Sequence, residues 1–133
     1  MIEALLMIAL AFAPTHITND DAVLYMIMMA ESGGHEIKLH PDKVSYGLFG
    51  LTKAACDEVG EDWPPENPKD EYRAARKYLR RMATAHGGDL LEGAGWYHGG
   101  SEERRAEYIK RLAQTDVNAT SVQLFKGLMV KAE

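Results

Sequence analysis

Residues 30–52 read AESGGHEIKLHPDKVSYGLFGLT, and the rest of the chain is organised around this stretch. It begins where an apolar helical run over residues 20–30 ends on an acid, Glu31. Paired glycines then break the helix, because glycine readily adopts the left-handed conformation that ends helices. Two short segments follow, 36–40 and 44–49, separated by a proline-containing turn. The pattern predicts a small β-hairpin facing the end of the helix.

Glu31 is the candidate catalytic residue of this stretch. Its carboxyl is placed at the last turn of a buried helix, opposite residues 47–50, whose two glycines allow close backbone approach. A carboxyl in such a place is partly desolvated, which suits a general acid. The alternative is an acid without a role, which is merely unfavourable at the negative end of a helix dipole.

The composition is that of one globular domain, here residues 1–133, with 46% hydrophobic residues. The formal net charge of -5 argues against a nucleic-acid-binding protein, which would usually present a basic face. The single cysteine, Cys56, excludes an intrachain disulfide and a cysteine-based metal cluster. We expect its side chain to fill a helix face as a small hydrophobic group.

The first apolar run, residues 2–13, is predicted to be a packed helix of the core. A secretory signal needs a positive N-terminal region, but no Lys or Arg precedes Lys38. The run is also too short to span a bilayer, so we expect no integral membrane span. A signal or membrane anchor is the alternative, since residues 11–13 (AFA) resemble a small-residue cleavage site.

The longest helix is predicted from Asn67, as the cap, to about His86, with Pro68 at its first position. Its buried stripe recurs at helical spacing: Tyr72, Ala75, Tyr78, Leu79 and Met82. The opposite face is basic and is expected to be solvated, with phosphate or nucleic-acid contact as the alternative; it carries Arg73, Arg76, Lys77, Arg80 and Arg81.

Three more helices are expected to open at Asp89, at Ser101 and at Thr115 or Asp116. With a helix over residues 52–59, the chain is predicted to be mainly α, with about seven helices around a buried central helix and one small hairpin.

A metal site is not expected. His35 and His40 are five residues apart in a strand-like run, so they would lie on opposite faces. The metalloprotease motif instead needs two histidines four apart on a helix. No Gly-x-Ser-x-Gly nucleophile elbow occurs in the sequence either.

Two motifs carry a family resemblance. Residues 31–33 (ESG), followed by residues 45–49 (SYGLF), resemble the Glu-Ser-Gly and Gly-Leu-Met-Gln motifs of the soluble lytic transglycosylase family, within the lysozyme-like superfamily. Residues 46–49 are also similar to the hairpin edge of animal lysozymes. The resemblance covers about residues 20–112, and its further motifs occur in the family's order. Among these, residues 95–100 (GWYHGG) are similar to Ala-Tyr-Asn-Ala-Gly.

The resemblance implies an α+β lysozyme-like fold and a groove that binds peptidoglycan glycan strands, with no metal or cofactor. Glu31 takes the position of the catalytic acid. The implied substrate-binding residues are Ser45, Tyr46, Gly47, Leu48, Phe49, Tyr97, His98 and Tyr108. Two residues depart from the family: Gly50 stands where Gln is usual, and His98 where Asn is usual.

The expected function is therefore a lytic transglycosylase that cleaves the MurNAc–GlcNAc bond with formation of a 1,6-anhydro sugar. Ser45 stands where animal lysozymes have an Asp, and the other nearby acids are Glu36 and Asp42. A hydrolytic lysozyme and a non-catalytic glycan-binding protein are the alternatives. We expect a monomer acting on the bacterial cell wall, either phage-encoded or part of a longer envelope protein.

Overall fold

The structure, a computed structural model, describes residues 18–131. This part of the chain is mainly helical, as the sequence predicted. The described helices are α1 Asn19–Glu31, α2 Lys53–Val59, α3 Pro68–Ala85, α4 Leu90–His98, α5 Glu102–Ala113 and α6 Ala119–Lys131. The helix predicted for residues 2–13 lies outside the described residues, so the total of seven stays a prediction.

Capping side chains set the start of four helices close to where the sequence placed them. Each has an oxygen that accepts a backbone amide hydrogen bond in the first turn, which satisfies one of the unpaired donors there. The four residues are Thr52, Asn67, Asp89 and Ser101.

The start predicted for the last helix, at Thr115 or Asp116, is wrong by about one turn. Helix α6 begins at Ala119, and Asn118 Oδ1 accepts a hydrogen bond from the Ser121 amide at 2.9 Å. Several residues before this helix can act as caps, and local sequence alone does not rank them.

The predicted hairpin is reduced to two isolated antiparallel bridges, which pair Leu39 with Tyr46 and Tyr46 with Leu51. Tyr46 and Leu51 exchange backbone hydrogen bonds at 2.9 Å in both directions. Tyr46 thus has a partner on each side along the chain, because the backbone folds back directly at residues 47–50. The described residues consequently form successive tight turns here instead of two strands.

Helix α1 lies at the centre of the described fold, where it contacts α3, α4, α5 and α6. Leu24 and Ile27 on this helix are fully buried, as its nearly continuous apolar pattern predicted. Phe125 of α6 packs edge-on against Tyr25 and Phe49, with ring centroids 5.7 and 6.0 Å away. The core therefore joins the central helix, the turn region and α6.

Cys56 on α2 is fully buried, in agreement with its predicted packing role. Burial raises the pKa of its thiol to about 11, so the group stays a neutral, unreactive thiol. None of the described helices is long and apolar enough to cross a membrane.

The basic face of α3 is exposed and bound to acids of neighbouring segments. Glu61 accepts from Arg73 at 2.8 Å and from Lys77 at 2.5 Å. Arg80 pairs with Asp20 at the start of α1. These ion pairs favour the interpretation of this face as a solvated surface that also ties α3 to its neighbours.

A buried polar cluster fixes the N-terminal end of α1. Lys126 Nζ lies 3.0 Å from both carboxylate oxygens of Asp21 and 2.8 Å from the Tyr72 hydroxyl, which donates to Asp21. Burial alone would raise the pKa of Asp21, but hydrogen bonds from Tyr72, the Thr18 amide and Lys126 outweigh it and lower that pKa. The carboxylate is therefore charged, fully buried and paired.

We predict that Lys126→Met destabilises the fold by about 3–5 kcal/mol, because Asp21 is left as an unpaired buried charge. The double variant Asp21→Asn/Lys126→Met should recover part of this loss. Urea unfolding measures both, and Lys110→Met is the control because Lys110 is exposed on α5. Equal stability of the Lys126 and Lys110 variants would contradict the prediction.

The same pair predicts a direction for the pH dependence of stability. The pKa of Asp21 is lower in the folded state than its ordinary value of 3.8. Its contribution is therefore fully present above pH 3.8 and is lost as the pH falls through the folded-state pKa. Asp21→Asn should remove this part of the acid dependence.

Candidate active site

Glu31 is the last residue of α1, and its side chain is only partly exposed. The chain turns immediately after it, where the Gly33 amide donates to the Met28 carbonyl at 3.2 Å. A carboxylate at this end of a helix is disfavoured by the helix dipole. Helix stability therefore does not explain why an acid occupies this position.

Tyr108 of α5 contacts Glu31 directly. Its hydroxyl donates a hydrogen bond of 2.8 Å to Glu31 Oε2, and its ring is buried. Burial, followed by the nearby Glu31 carboxylate, raises the pKa of the Tyr108 hydroxyl. The hydroxyl thus stays protonated and holds the carboxyl in one orientation.

Gly50 lies against the other carboxylate oxygen. A Cβ placed on Gly50 would be 2.5 Å from Glu31 Oε1, and the backbone there has φ +61°, which L side chains rarely adopt. The absence of a side chain at position 50 fits this geometry, because Glu31 occupies the space that a side chain would need.

Tyr97 of α4 contacts the backbone next to Gly50. Its hydroxyl donates to the Phe49 carbonyl at 2.8 Å, and its ring lies 5.3 Å from that of Tyr78. Burial raises the pKa of Tyr97 well above its ordinary value, so this hydroxyl also stays a donor. Glu31, Tyr97 and Tyr108 therefore lie close together.

His98 lies at the exposed edge of this place. Its ring stacks on Tyr108 with 4.2 Å between centroids and 24° between planes. Beside the two rings is a hollow of about 370 Å³. Charged residues of both signs contribute to its lining: His98, Glu103, Arg104, Glu107, Tyr108 and Arg111. Tyr108 is the residue that joins this hollow to Glu31, through its hydrogen bond.

The remaining predicted substrate-binding residues differ in their exposure to solvent. Ser45 and Tyr46 are partly exposed, whereas Gly47, Leu48 and Phe49 are buried. The Phe49 side chain is packed in the core, so only its backbone borders the site. The prediction for this segment thus applies to its backbone more than to its side chains.

Neither acid named from the sequence is free to act beside Glu31. Asp42 closes its own turn, accepting from the Val44 amide at 2.9 Å and from the Ser45 hydroxyl at 2.6 Å. These bonds, led by that of the Ser45 hydroxyl, lower the pKa of Asp42. Glu36 instead interacts with Glu71, a buried carboxyl of α3.

His40 lies against the turn region. His40 Nε2 is 2.7 Å from the Gly47 carbonyl, so its ring supports the turn. Among the described residues, no group of three His, Cys, Asp or Glu side chains could hold a metal ion.

Glu71 is the residue near the site that sequence reasoning missed. It is 1% exposed, and its carboxyl accepts a hydrogen bond from the Leu48 amide at 2.8 Å. Burial raises the pKa of Glu71 to about 7; Glu36 also raises it, while the Leu48 amide acts in the opposite direction. Its spacing in the sequence could have indicated that it is buried. Glu71 lies four residues before Ala75 and eight before Leu79, and both of these belong to the buried stripe of the helix.

Comparison with protein-family models, curated proteins and solved structures finds no match to this chain.

We predict that Gly50→Ala destabilises the protein by more than Gly60→Ala does. Gly60 also has positive φ, at +72°, but a Cβ added there would have no neighbour within 4 Å, so it reports backbone strain alone. That strain is about 1–2 kcal/mol, and displacing the Glu31 carboxyl from the Tyr108 hydroxyl should add about 0.5–1.5 kcal/mol at Gly50. Urea unfolding measures the difference.

A second substitution tests whether the additional loss of stability at Gly50 comes from Glu31. In a Glu31→Ala background, Gly50→Ala should cost no more than Gly60→Ala, because the carboxyl is gone. Equal losses for the two alanine variants in the wild-type background would show that Gly50 and Glu31 do not approach closely.

Proposed function

We propose that this protein cleaves peptidoglycan glycan strands as a lytic transglycosylase with a lysozyme-like fold, and that Glu31 is its acid/base. The observation that carries the proposal is the set of contacts around Glu31. Its carboxyl bonds to Tyr108, 77 residues away, and lies against Gly50. Tyr97 holds the neighbouring backbone. These residues come from the separate motifs that resemble the family.

In the proposed reaction, Glu31 donates its proton to the glycosidic oxygen between MurNAc and GlcNAc. The bond from that oxygen to the anomeric carbon breaks. Glu31 then accepts the proton of the MurNAc 6-hydroxyl while that oxygen bonds to the anomeric carbon, which gives the 1,6-anhydro product. The carboxyl ends in its starting protonation state, so the protons balance without a further acid or base.

Tyr108 supports this role by orienting the carboxyl. Its hydrogen bond occupies Oε2, while Oε1 accepts none from the residues that the structure describes. The mixed-charge hollow beside Tyr108 offers polar contacts to sugar hydroxyls and amides. The activity places the protein at the bacterial cell wall, within the envelope or as a phage-encoded enzyme.

Transglycosylation is favoured over hydrolysis by the acids around the site. A glycosidase that uses two carboxylates keeps them about 5–9.5 Å apart. The oxygens of Asp42 are engaged in its own turn, and Glu36 interacts with Glu71. Because neither of these two acids is available as the second carboxylate, we infer that the substrate itself supplies the nucleophile.

We predict that Glu31→Gln lowers the turnover of purified peptidoglycan by about 10²–10⁴-fold, because proton transfer is lost while shape is kept. Turbidity loss of purified cell walls measures the rate. Glu58→Gln is the matched control, since Glu58 is an exposed acid on α2. Lysis by Glu31→Gln within a few-fold of wild type would remove Glu31 from the mechanism.

We also predict that mass spectrometry finds products lighter by one water than reducing-end muropeptides. Asp42→Asn should keep most of the activity, because its carboxyl supports only the local turn. Ordinary reducing ends, or an Asp42 variant as inactive as Glu31→Gln, would favour a hydrolytic lysozyme. A wild-type protein that binds glycan strands without releasing products would be a non-catalytic member.

A further inference from the structure

Glu71 is a fully buried carboxyl that the proposed reaction does not use. It lies on α3, and a buried carboxyl without a partner is costly. The Leu48 amide, 23 residues away, donates a hydrogen bond of 2.8 Å to this carboxyl, and the Glu36 side chain also interacts with it. The side chain therefore joins α3 to the turn region instead of stabilising its own helix.

The turn is shaped to receive this carboxyl. A Cβ on Gly47 would lie 1.6 Å from Glu71 Oε1, and φ at Gly47 is +76°. No other residue fits at Gly47 unless Glu71 moves. Gly47 and Glu71 are thus complementary in the same way as Gly50 and Glu31.

The backbone from Gly47 to Gly50, here called the 47–50 loop, connects the two carboxyls. Glu71 holds the Leu48 amide at one end, and Tyr97 holds the Phe49 carbonyl. Gly50 follows directly and lies against Glu31. Because only Phe49 separates Leu48 from Gly50, we expect a displacement of the Leu48 backbone to shift Gly50 as well.

We propose that Glu71 is a positioning residue for Glu31: by accepting the Leu48 amide, it holds the 47–50 loop where Gly50 bounds the catalytic carboxyl. The structural part of this inference is that Glu71 holds the 47–50 loop in place. The catalytic part rests on the proposed function of Glu31.

The role requires an acceptor oxygen, and it does not require a charge. Burial raises the pKa of Glu71 to about 7, so the carboxyl is neutral in mildly acidic solution. A neutral carboxyl accepts an amide hydrogen bond through its carbonyl oxygen, as a glutamine side chain does. A glutamine at position 71 should therefore keep the loop in place, whereas a side chain of similar length without an acceptor oxygen should not keep it there.

The test compares Glu71→Gln with Glu71→Met. Hydrogen exchange of the Leu48 amide reports on the loop without any need for activity. In Glu71→Met this exchange should become about tenfold faster, which corresponds to the loss of one hydrogen bond. In Glu71→Gln it should stay within about threefold of wild type.

Turnover of purified peptidoglycan tests the catalytic part. We expect kcat of Glu71→Met to fall by about tenfold or more, with a smaller change in KM, because a small displacement at the reacting groups is costly. Glu71→Gln should keep kcat near wild type. Lys126→Met is the stability control, since it destabilises the fold without contacting the 47–50 loop; kcat is compared per folded molecule.

Three results would overturn the inference: wild-type Leu48 exchange in Glu71→Met, equal impairment of the Gln and Met variants, or an equal fall of kcat in Lys126→Met. If Glu71→Met does not fold, Glu71→Asp replaces it, because its oxygens are withdrawn by one methylene. If wild type releases no products, the proposed function and the catalytic part fail together, and Leu48 exchange still decides the structural part.

Discussion

The packing of two carboxyls against two glycines is the constraint on which the site depends. Glu71 fills the space beside Gly47, and Glu31 fills the space beside Gly50. A side chain at either glycine would displace the neighbouring acid. Because both positions are glycine, the 47–50 loop can lie closer to α1 and α3 than a turn with side chains at these positions could. A buried carboxyl is tolerated only with a partner, and the Leu48 amide provides it for Glu71. The same contact thus satisfies the acid and fixes the loop.

Helix α1 is bound to other helices at both of its ends, which lie about 15 Å apart along its axis. Asp21 at its beginning is bound to Lys126 of α6 and Tyr72 of α3, while Glu31 at its end is bound to Tyr108 of α5. Sites carried on regular elements are held more precisely than sites on loops. The position of Glu31 therefore follows from the packing of the core, and only its second boundary, at Gly50, depends on a loop.

The sequence predicted those features that local chemistry determines. The start of α3 follows from Asn67 as a cap, and the burial of α1 follows from its apolar residues. The hairpin was predicted from two short segments separated by a proline-containing turn, but the backbone folds back again at residues 47–50, and the pairing consists of single bridges. Glu71 itself was missed, because acids on helices are usually solvated. Contacts between residues far apart in the chain depend on how the helices pack. A local sequence pattern does not contain that information.

The absence of a side chain at Gly50 has a consequence for the proposed chemistry. A glutamine there would offer a polar contact to the substrate, but its first atom would collide with Glu31 Oε1 in this arrangement. Glu31 therefore faces bare backbone on one side and the Tyr108 hydroxyl on the other. Under the proposed function, substrate contacts would come from the exposed side, where His98 stacks on Tyr108 beside a hollow of mixed charge. An imidazole in this position can donate or accept a hydrogen bond according to its tautomer. If the proposal holds, the glycine thus leaves room for the carboxyl, and the histidine offers a polar group at the edge of the site.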